Sequence, residues 1–308
     1  MLTVFGSINI DQVIRVASIP QSGETKIGER IMDSHGGKGA NQAIAAARAS
    51  DGKTPITMIG ALGNDLNGEN ALQNLLKNGV ISECVQYSDC ETGMAIITVS
   101  HHGENAITVI PGANAKLKFK HISKETLKRT SILMCQGEVN LLETYLVIAA
   151  FRKINPTGVV VVNLAPVPQD GDLMTLRNVL EKCDILIVNE HEAKTISQLL
   201  SGQNMVDLQS IAIQFNLKIL KTRGADGVDL LSQAGLIFQA SSPTIDPIDT
   251  TGAGDTFCGV FAILLAEGQS IEFAINKACE AAAKACCAIG AQTSIPFRDE
   301  FLKRVKAK

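Results

Sequence analysis

The chain has 308 residues, with 28 Lys plus Arg against 31 Asp plus Glu, a formal net charge of −3. That balance excludes a general nucleic-acid binder, which carries a basic excess or stripe. Hydrophobic residues at 45% and charged residues at 19% exclude a disordered chain and suffice for one large α/β domain with a sizeable core.

In chain order, residues 2–8 form a short apolar run ending in Gly6-Ser7, read as a buried strand. The start has no basic segment ahead of an apolar one, so it reads as that strand and not as a secretion signal. Residues 11–35 hold two half-alternating stretches around Pro20-Gln21-Ser22-Gly23, and residues 94–100 and 105–110 suit a hairpin across His102-Gly103-Glu104. Together they suggest a small separate sheet. Elsewhere the period changes. Helices are expected at 39–50, 66–78, 141–154, 190–200 and near 206–215, with strands at 56–60, 131–135, 158–163, 184–188 and 217–222. Two closing helices follow at about 253–266 and 270–287. Strands alternating with helices imply a doubly wound, mostly parallel sheet with helices on both faces. The longest apolar run, 257–266, stops at Glu267 and falls short of the roughly 18–20 residues that span a bilayer. The eight cysteines contain no C-x-x-C pair and read as buried small hydrophobes of a cytoplasmic protein, with Cys286-Cys287 on the small side of a helix.

In such sheets ligands sit beyond the carboxyl ends of the strands. The strongest motif is 249–257, DTTGAGDTF, which leaves a Pro-containing loop and opens an apolar helix. Gly252, Ala253 and Gly254 free their backbone N–H groups for an anion at a helix N-terminus. An acidic residue there suits a base: Asp255 would take a proton from a hydroxyl attacking a phosphoryl group. The plainer reading is a carboxylate favoured by the helix macrodipole. A second glycine loop, 36–43, feeds another helix and places Lys38 and Asn41 one turn apart. In 6–11, GSINID, Asn9 and Asp11 share one face of an extended chain. Asn, Asp, Asn and Lys together suit the hydroxyls of a sugar. Gly52-Lys53-Thr54 resembles the end of a phosphate-binding P-loop, but Ala47 stands where its first glycine belongs. No G-x-G-x-x-G follows the first strand, which leaves a nicotinamide oxidoreductase little support.

These residues resemble the ribokinase-type (PfkB) family of carbohydrate kinases. The resemblance spans nearly the whole chain: GSINID, the loop at 36–41, PGANA at 111–115, Glu138, NLAP at 163–166, NEHE at 189–192, DTTGAGDTF and GAQTSIP at 290–296 follow in order. It implies ATP-dependent phosphorylation of D-ribose to D-ribose 5-phosphate. Asp255 would be the catalytic base, with Gly252, Ala253 and Gly254 as the anion hole. Asn9, Asp11, Gly37, Lys38, Asn41 and Glu138 would bind the sugar. Asn189, Thr222, Gly224, Gly227, Gly254 and Cys279 would line the ATP site, and Glu192 would serve Mg²⁺. Asp249, Thr251, Ala285, Ala288, Gly290 and Ser294 would hold an activating monovalent cation, K⁺. Residues 11–35 and 94–110 would form a lid that also makes a homodimer contact. Three departures stand out: Cys279, where some members place a His; Asn163-Leu164 for Asn-Pro; and Gly137, expected to loosen the loop before Glu138. The alternatives are a kinase for deoxyribose, fructose or a nucleoside, and a non-catalytic sugar-binding regulator on the same fold.

Overall fold

The computed structural model describes residues 1–82, 86–102, 104–168, 173–201 and 206–302. Cys84 and the Gly103 turn of the expected hairpin lie outside the described residues. The first half contains β1 (Leu2–Phe5), β2 (Asn9–Val16), β3 (Glu29–Gly36), α1 (Lys38–Ala49), β4 (Ile56–Ile59), β5 (Ala61–Gly63), α2 (Leu66–Lys77), β6 (Gln86–Ser88), β7 (Gly93–Ser100), β8 (Asn105–Ile110), α3 (Lys124–Arg129), β9 (Ile132–Gln136) and α4 (Leu141–Ile154). The second contains β10 (Val159–Asn163), α5 (Leu173–Leu180), β11 (Ile185–Asn189), α6 (Glu190–Ser201), α7 (Leu208–Phe215), β12 (Lys218–Thr222), β13 (Val228–Ser232), β14 (Gly235–Ala240), α8 (Ala253–Ala266) and α9 (Ile271–Ala285).

The main sheet runs β14-β13-β12-β11-β10-β9-β1-β4. It is parallel from β12 to β4 and antiparallel only where β13 and β14 close one edge. Its strands β4, β1, β9, β10 and β11 are buried along nearly their whole length, as a sheet covered on both faces requires. Leu2 and Val4 of β1 point into a core shared with α1, α8 and α9, while Phe5 joins a second core with α4, α5, α6 and α7. A separate sheet, β3-β2-β7-β8, carries the two segments expected outside the main one. A two-stranded pair, β5-β6, was too short to stand out in the sequence.

One close helix approach sets up everything that follows. Helix α1 presents Ala43, Ala45 and Ala46, all fully buried, toward α8. On α8, a side chain at Gly259 would strike the carbonyl of Gln42 and the Cβ of Ala45. Small residues on both helices let the backbones meet, and the first turns of α1 and α8 are thereby brought together. Cys286 caps α9 and exposed Cys287 follows it, so this pair ends the helix rather than forming its small side.

Candidate active site

The polar residues gather at the carboxyl ends of the parallel strands: Ser7 after β1, Glu138 after β9, Asn163 closing β10, Asn189 closing β11 and Thr222 closing β12. Asn9 and Asp11 stand on the same face of β2, both buried. Gly36 and Gly37 are required here. A side chain at Gly36 would collide with the Asp11 carboxylate, and Gly37, at φ +87°, would drive a Cβ to 2.6 Å from the Asn9 nitrogen.

The N-terminus of α1 is satisfied by this neighbourhood and not by a cap of its own. The Lys38 N–H donates to Glu138 Oε2 at 3.0 Å, and the Ala40 N–H donates to the Ser7 carbonyl at 2.9 Å. The Ser7 hydroxyl donates to the same Glu138 oxygen at 2.5 Å. Glu138 thus fixes the glycine loop and sets the floor on which Lys38 rests. Gly137 does not loosen this loop. Its N–H donates to the Ala165 carbonyl at 3.2 Å, and a side chain there would meet the Pro166 carbonyl, so the glycine serves close packing.

Asp255 lies in the first turn of α8, whose N-cap Gly252 adopts the left-handed conformation at φ +76°. A Cβ on Gly252 would sit 2.8 Å from the Ala291 carbonyl oxygen. Gly254 faces open space. The Asp255 carboxylate is held from two sides: Asn41 Nδ2 donates to Oδ2 at 2.8 Å and Gln42 Nε2 donates to Oδ1 at 2.9 Å. Lys38, Asn163, Asn189, Glu192, Thr222, Gly252, Gly254, Asp255 and Cys258 line one cavity of about 140 Å³.

The charges in and near this cavity act on one another. Burial, then Glu138, then Asp255 raise the Asp11 carboxyl to about 7, against a smaller pull from Lys38. The Asp255 carboxylate raises the Lys38 pKa despite burial, with Glu138 and Glu192 adding to it, so Lys38 stays an ammonium. Burial raises the Glu192 carboxyl. Glu192 also makes a reciprocal cap at the start of α6. Asn189 donates from N and Nδ2 to its two oxygens, at 2.8 and 3.0 Å, and the Glu192 N–H donates to Asn189 Oδ1 at 2.8 Å. The N-x-x-E spacing therefore builds a helix start as well as facing the cavity.

A larger cavity of about 350 Å³ adjoins the first through Thr222 and Gly254, which line both. Gly224, Gly227, Phe257 and Cys279 lie around it, with Ser242, Pro243, Thr244 and Ile245 of the extended segment before α8. Asn189 borders only the smaller cavity.

The remaining expected residues form a third cluster beneath α8. Asp249 accepts from the Thr251 N–H at 2.9 Å through one oxygen and from the Gly290 N–H at 2.8 Å through the other, tying two loops together. Hydrogen bonds to the charged form outweigh burial and lower its pKa. Ala285 ends α9, and its carbonyl accepts from the Ala288 N–H at 3.2 Å. The Ser294 hydroxyl is buried with no hydrogen-bond partner.

Four polar residues went unread in the sequence. Gln42 and Gln136 form a buried amide chain to Asp255. Gln292 donates to Asn41 Oδ1 at 2.8 Å. Asn114 pins residues 8 and 9, accepting from the Ile8 N–H and donating to the Ile8 carbonyl and Asn9 Oδ1. A lone carboxamide inside the Ala-rich run after Asn41, and another ending the apolar strand ILMCQ, were the available signals.

Comparison with known proteins agrees with this fold. The chain matches the pfkB family of carbohydrate kinases over residues 1–298. It is 36% identical to the ribokinase of Lactococcus lactis over 99% of this chain and 97% of that protein, and 32% identical to the ribokinase of Bacillus subtilis over 97% of each. Among solved structures, Thermotoga maritima ribokinase superposes with a TM-score of 0.86 at 30% identity, covering 97% of both chains. Arabidopsis thaliana ribokinase, complexed with ribose and ATP, gives 0.83 at 29% identity over 100% of this chain and 99% of that one. With its glycine loops, buried carboxylate and doubly wound sheet in these positions, the chain belongs to the pfkB family of carbohydrate kinases.

Proposed function

We propose that this protein transfers the γ-phosphoryl group of ATP to the 5-hydroxyl of D-ribose. The observation that carries the reading is the place of Asp255: at a helix N-terminus, clamped by two carboxamides, between the Asn9–Asp11–Lys38–Glu138 cluster and the larger cavity. The ribokinase relatives supply the choice of sugar.

In this reading the sugar lies against Asn9, Asp11, Gly37, Lys38, Asn41 and Glu138, with its reacting hydroxyl at Asp255. Asp255 takes the proton as the oxygen attacks. The N–H groups of residues 252–254 and the Lys38 ammonium stabilise the charge that develops on the phosphoryl oxygens. Thr222, Gly224 and Gly227 shape the nucleotide pocket with Cys279 at its apolar wall. Positioning, rather than a covalent intermediate, supplies the rate.

Two ions fit the residues present. Glu192 keeps lone pairs free beside the cavity, the single-carboxylate setting that suits a hydrated Mg²⁺ shared with phosphates. When bound, Mg²⁺ would neutralise charge on the phosphates. Asp249, Thr251, Ala285, Ala288, Gly290 and Ser294 offer carboxylate, hydroxyl and carbonyl oxygens, and the orphaned Ser294 hydroxyl suits a K⁺ ion that would steady the Gly252 loop.

The β3-β2-β7-β8 sheet would act as a lid that closes on the sugar and excludes water. Its outer strand β8 carries exposed Ile107, Val109 and Ile110, an apolar edge suited to a homodimer contact. Among the described residues no helix is long and apolar enough to cross a membrane, and seven cysteines carry free thiols, which suits a cytoplasmic site of action. A nucleoside substrate fits less well. The chain has no Trp and only two Tyr; Tyr87 is exposed and Tyr145 packs in the core on the far face of the main sheet.

The deciding experiment is an ADP-release assay over pentoses, hexoses and nucleosides, with and without K⁺. Ribose should give the highest kcat/KM and K⁺ should raise it. Turnover of another sugar with ribose inert would overturn the choice of ribose, and sugar binding without any ADP release would identify a regulator instead.

A further inference from the structure

We infer that Gln42 is a positioning residue for the base, its amide N–H fixing the Asp255 carboxylate while Gln136 holds its oxygen. The inference rests on Asp255 being the base. Gln42 is fully buried on α1 and lines neither of the two cavities, so it acts through its neighbours. Its Nε2 donates to Asp255 Oδ1 at 2.9 Å and to Asn163 Oδ1 at 3.0 Å. Its Oε1 accepts from Gln136 Nε2 at 2.6 Å.

The acceptors decide which way the amide faces. The Asp255 carboxylate can only accept and Asn163 turns its oxygen to Gln42, so the Gln42 nitrogen must point at them, which leaves Oε1 for the Gln136 N–H. Gln136 in turn fits only because Gly6 has no side chain: a Cβ there would overlap Gln136 Oε1. Asn163 is anchored by its own Nδ2, which donates to the Ile187 carbonyl at 3.2 Å. The series Gly6, Gln136, Gln42, Asp255 thus links the ends of β1 and β9 to the reacting carboxylate through α1. Asn41 holds the other oxygen from the open side of the same helix turn. With each oxygen held by one amide, the carboxylate cannot rotate, and its remaining lone pairs are aimed by the protein.

The test measures kcat, KM for ribose and ATP, and pH profiles for Gln42→Met, Gln42→Glu and Asp255→Asn in the full-length chain. Gln42→Met should lower kcat 10- to 100-fold and change both KM values less than threefold. Gln42→Glu discriminates positioning from packing. Protonated, the glutamic acid donates to Asp255 as the amide does; ionised, it repels it. This variant should keep at least a tenth of wild-type kcat near pH 6 and lose activity relative to wild type as pH rises. A fall of less than fivefold in Gln42→Met, or a Gln42→Glu profile parallel to wild type, overturns the inference. If Gln42→Met does not fold, the Gln42→Glu profile decides. Full activity in Asp255→Asn would instead overturn the assignment of the base, separating the two failures.

Discussion

At one end of the cleft, Asp11, Lys38, Asn41, Glu138 and Asp255 meet as charged or amide side chains, with Glu138 held by Ser7 and the Lys38 N–H, Asn41 bonded to Asp255, and Asp11 and Lys38 under the charges of their neighbours. At the other end, the larger cavity is walled by glycines, alanines, prolines, Phe257, thiols and the hydroxyl residues Thr222, Ser242, Thr244 and Thr250, with no carboxylate, carboxamide or basic side chain among its lining residues. The first region recognises by directional hydrogen bonds, where losing one partner strands another buried group. The second recognises by shape and backbone, where small changes in a side chain are absorbed. This difference also explains how a chain of net charge −3 could bind a polyanion: backbone N–H groups at a helix start serve where a basic surface would otherwise be needed.

Substitutions should therefore act with very different force at the two ends. Asp255→Asn should reduce kcat by about 10²–10⁴ with the fold retained, as expected when a general base is lost; steady-state kinetics with a thermal melt checks both. Asp11→Asn should lower kcat/KM for the sugar by about 10–100-fold, the cost of a hydrogen bond from a charged acceptor.

The same Asp11 substitution should stabilise the ligand-free protein, and the sign follows from linkage. The folded Asp11 carboxyl sits at about 7 and the unfolded one at its ordinary 3.8, so between these values the folded state binds more protons. Stability from this group therefore falls as pH rises through that window, by at most about 4 kcal/mol. The melting-temperature gain of Asp11→Asn should be small near pH 4 and largest above pH 7. A gain that shrinks with rising pH would contradict the assigned environment.

Where the two regions join, Gly252→Ala should lower kcat about 10-fold or more and destabilise the fold by about 1–2 kcal/mol. It combines a left-handed backbone with a Cβ at 2.8 Å from Ala291 O; kinetics and denaturant melts report each part. Cys279→Ser in the apolar wall should change KM for ATP less than threefold, since no directional bond is lost. A tenfold change there would erase the contrast between the two ends.

Much of the frame was legible without coordinates. Period-2 and period-3.6 patterns placed most main-sheet strands and long helices within a residue or two, because those segments bury apolar faces and carry their own start signals, such as Asn140 ahead of α4 and Ser270 ahead of α9. Short elements such as β5, β6 and α3 escaped because three to six residues hold too few repeats of either period. Asp255, Lys38, Asn41 and the glycines were visible because special backbone and charge at a helix start stand out locally.

The amide network was not visible, for a physical reason. Gln42 and Asp255 are 213 residues apart, and a glutamine has no preferred partner until the fold supplies one. By itself, the sequence determined most of the main-sheet strands and the long helices, and which loops carry glycine, lysine and aspartate. Tertiary structure alone decided that Gly259 and the alanines of α1 would bring two helix starts together, that Glu138 would seat the glycine loop, and that Gln42 would face the base. Those outcomes depend on close packing between distant segments, which local pattern does not encode.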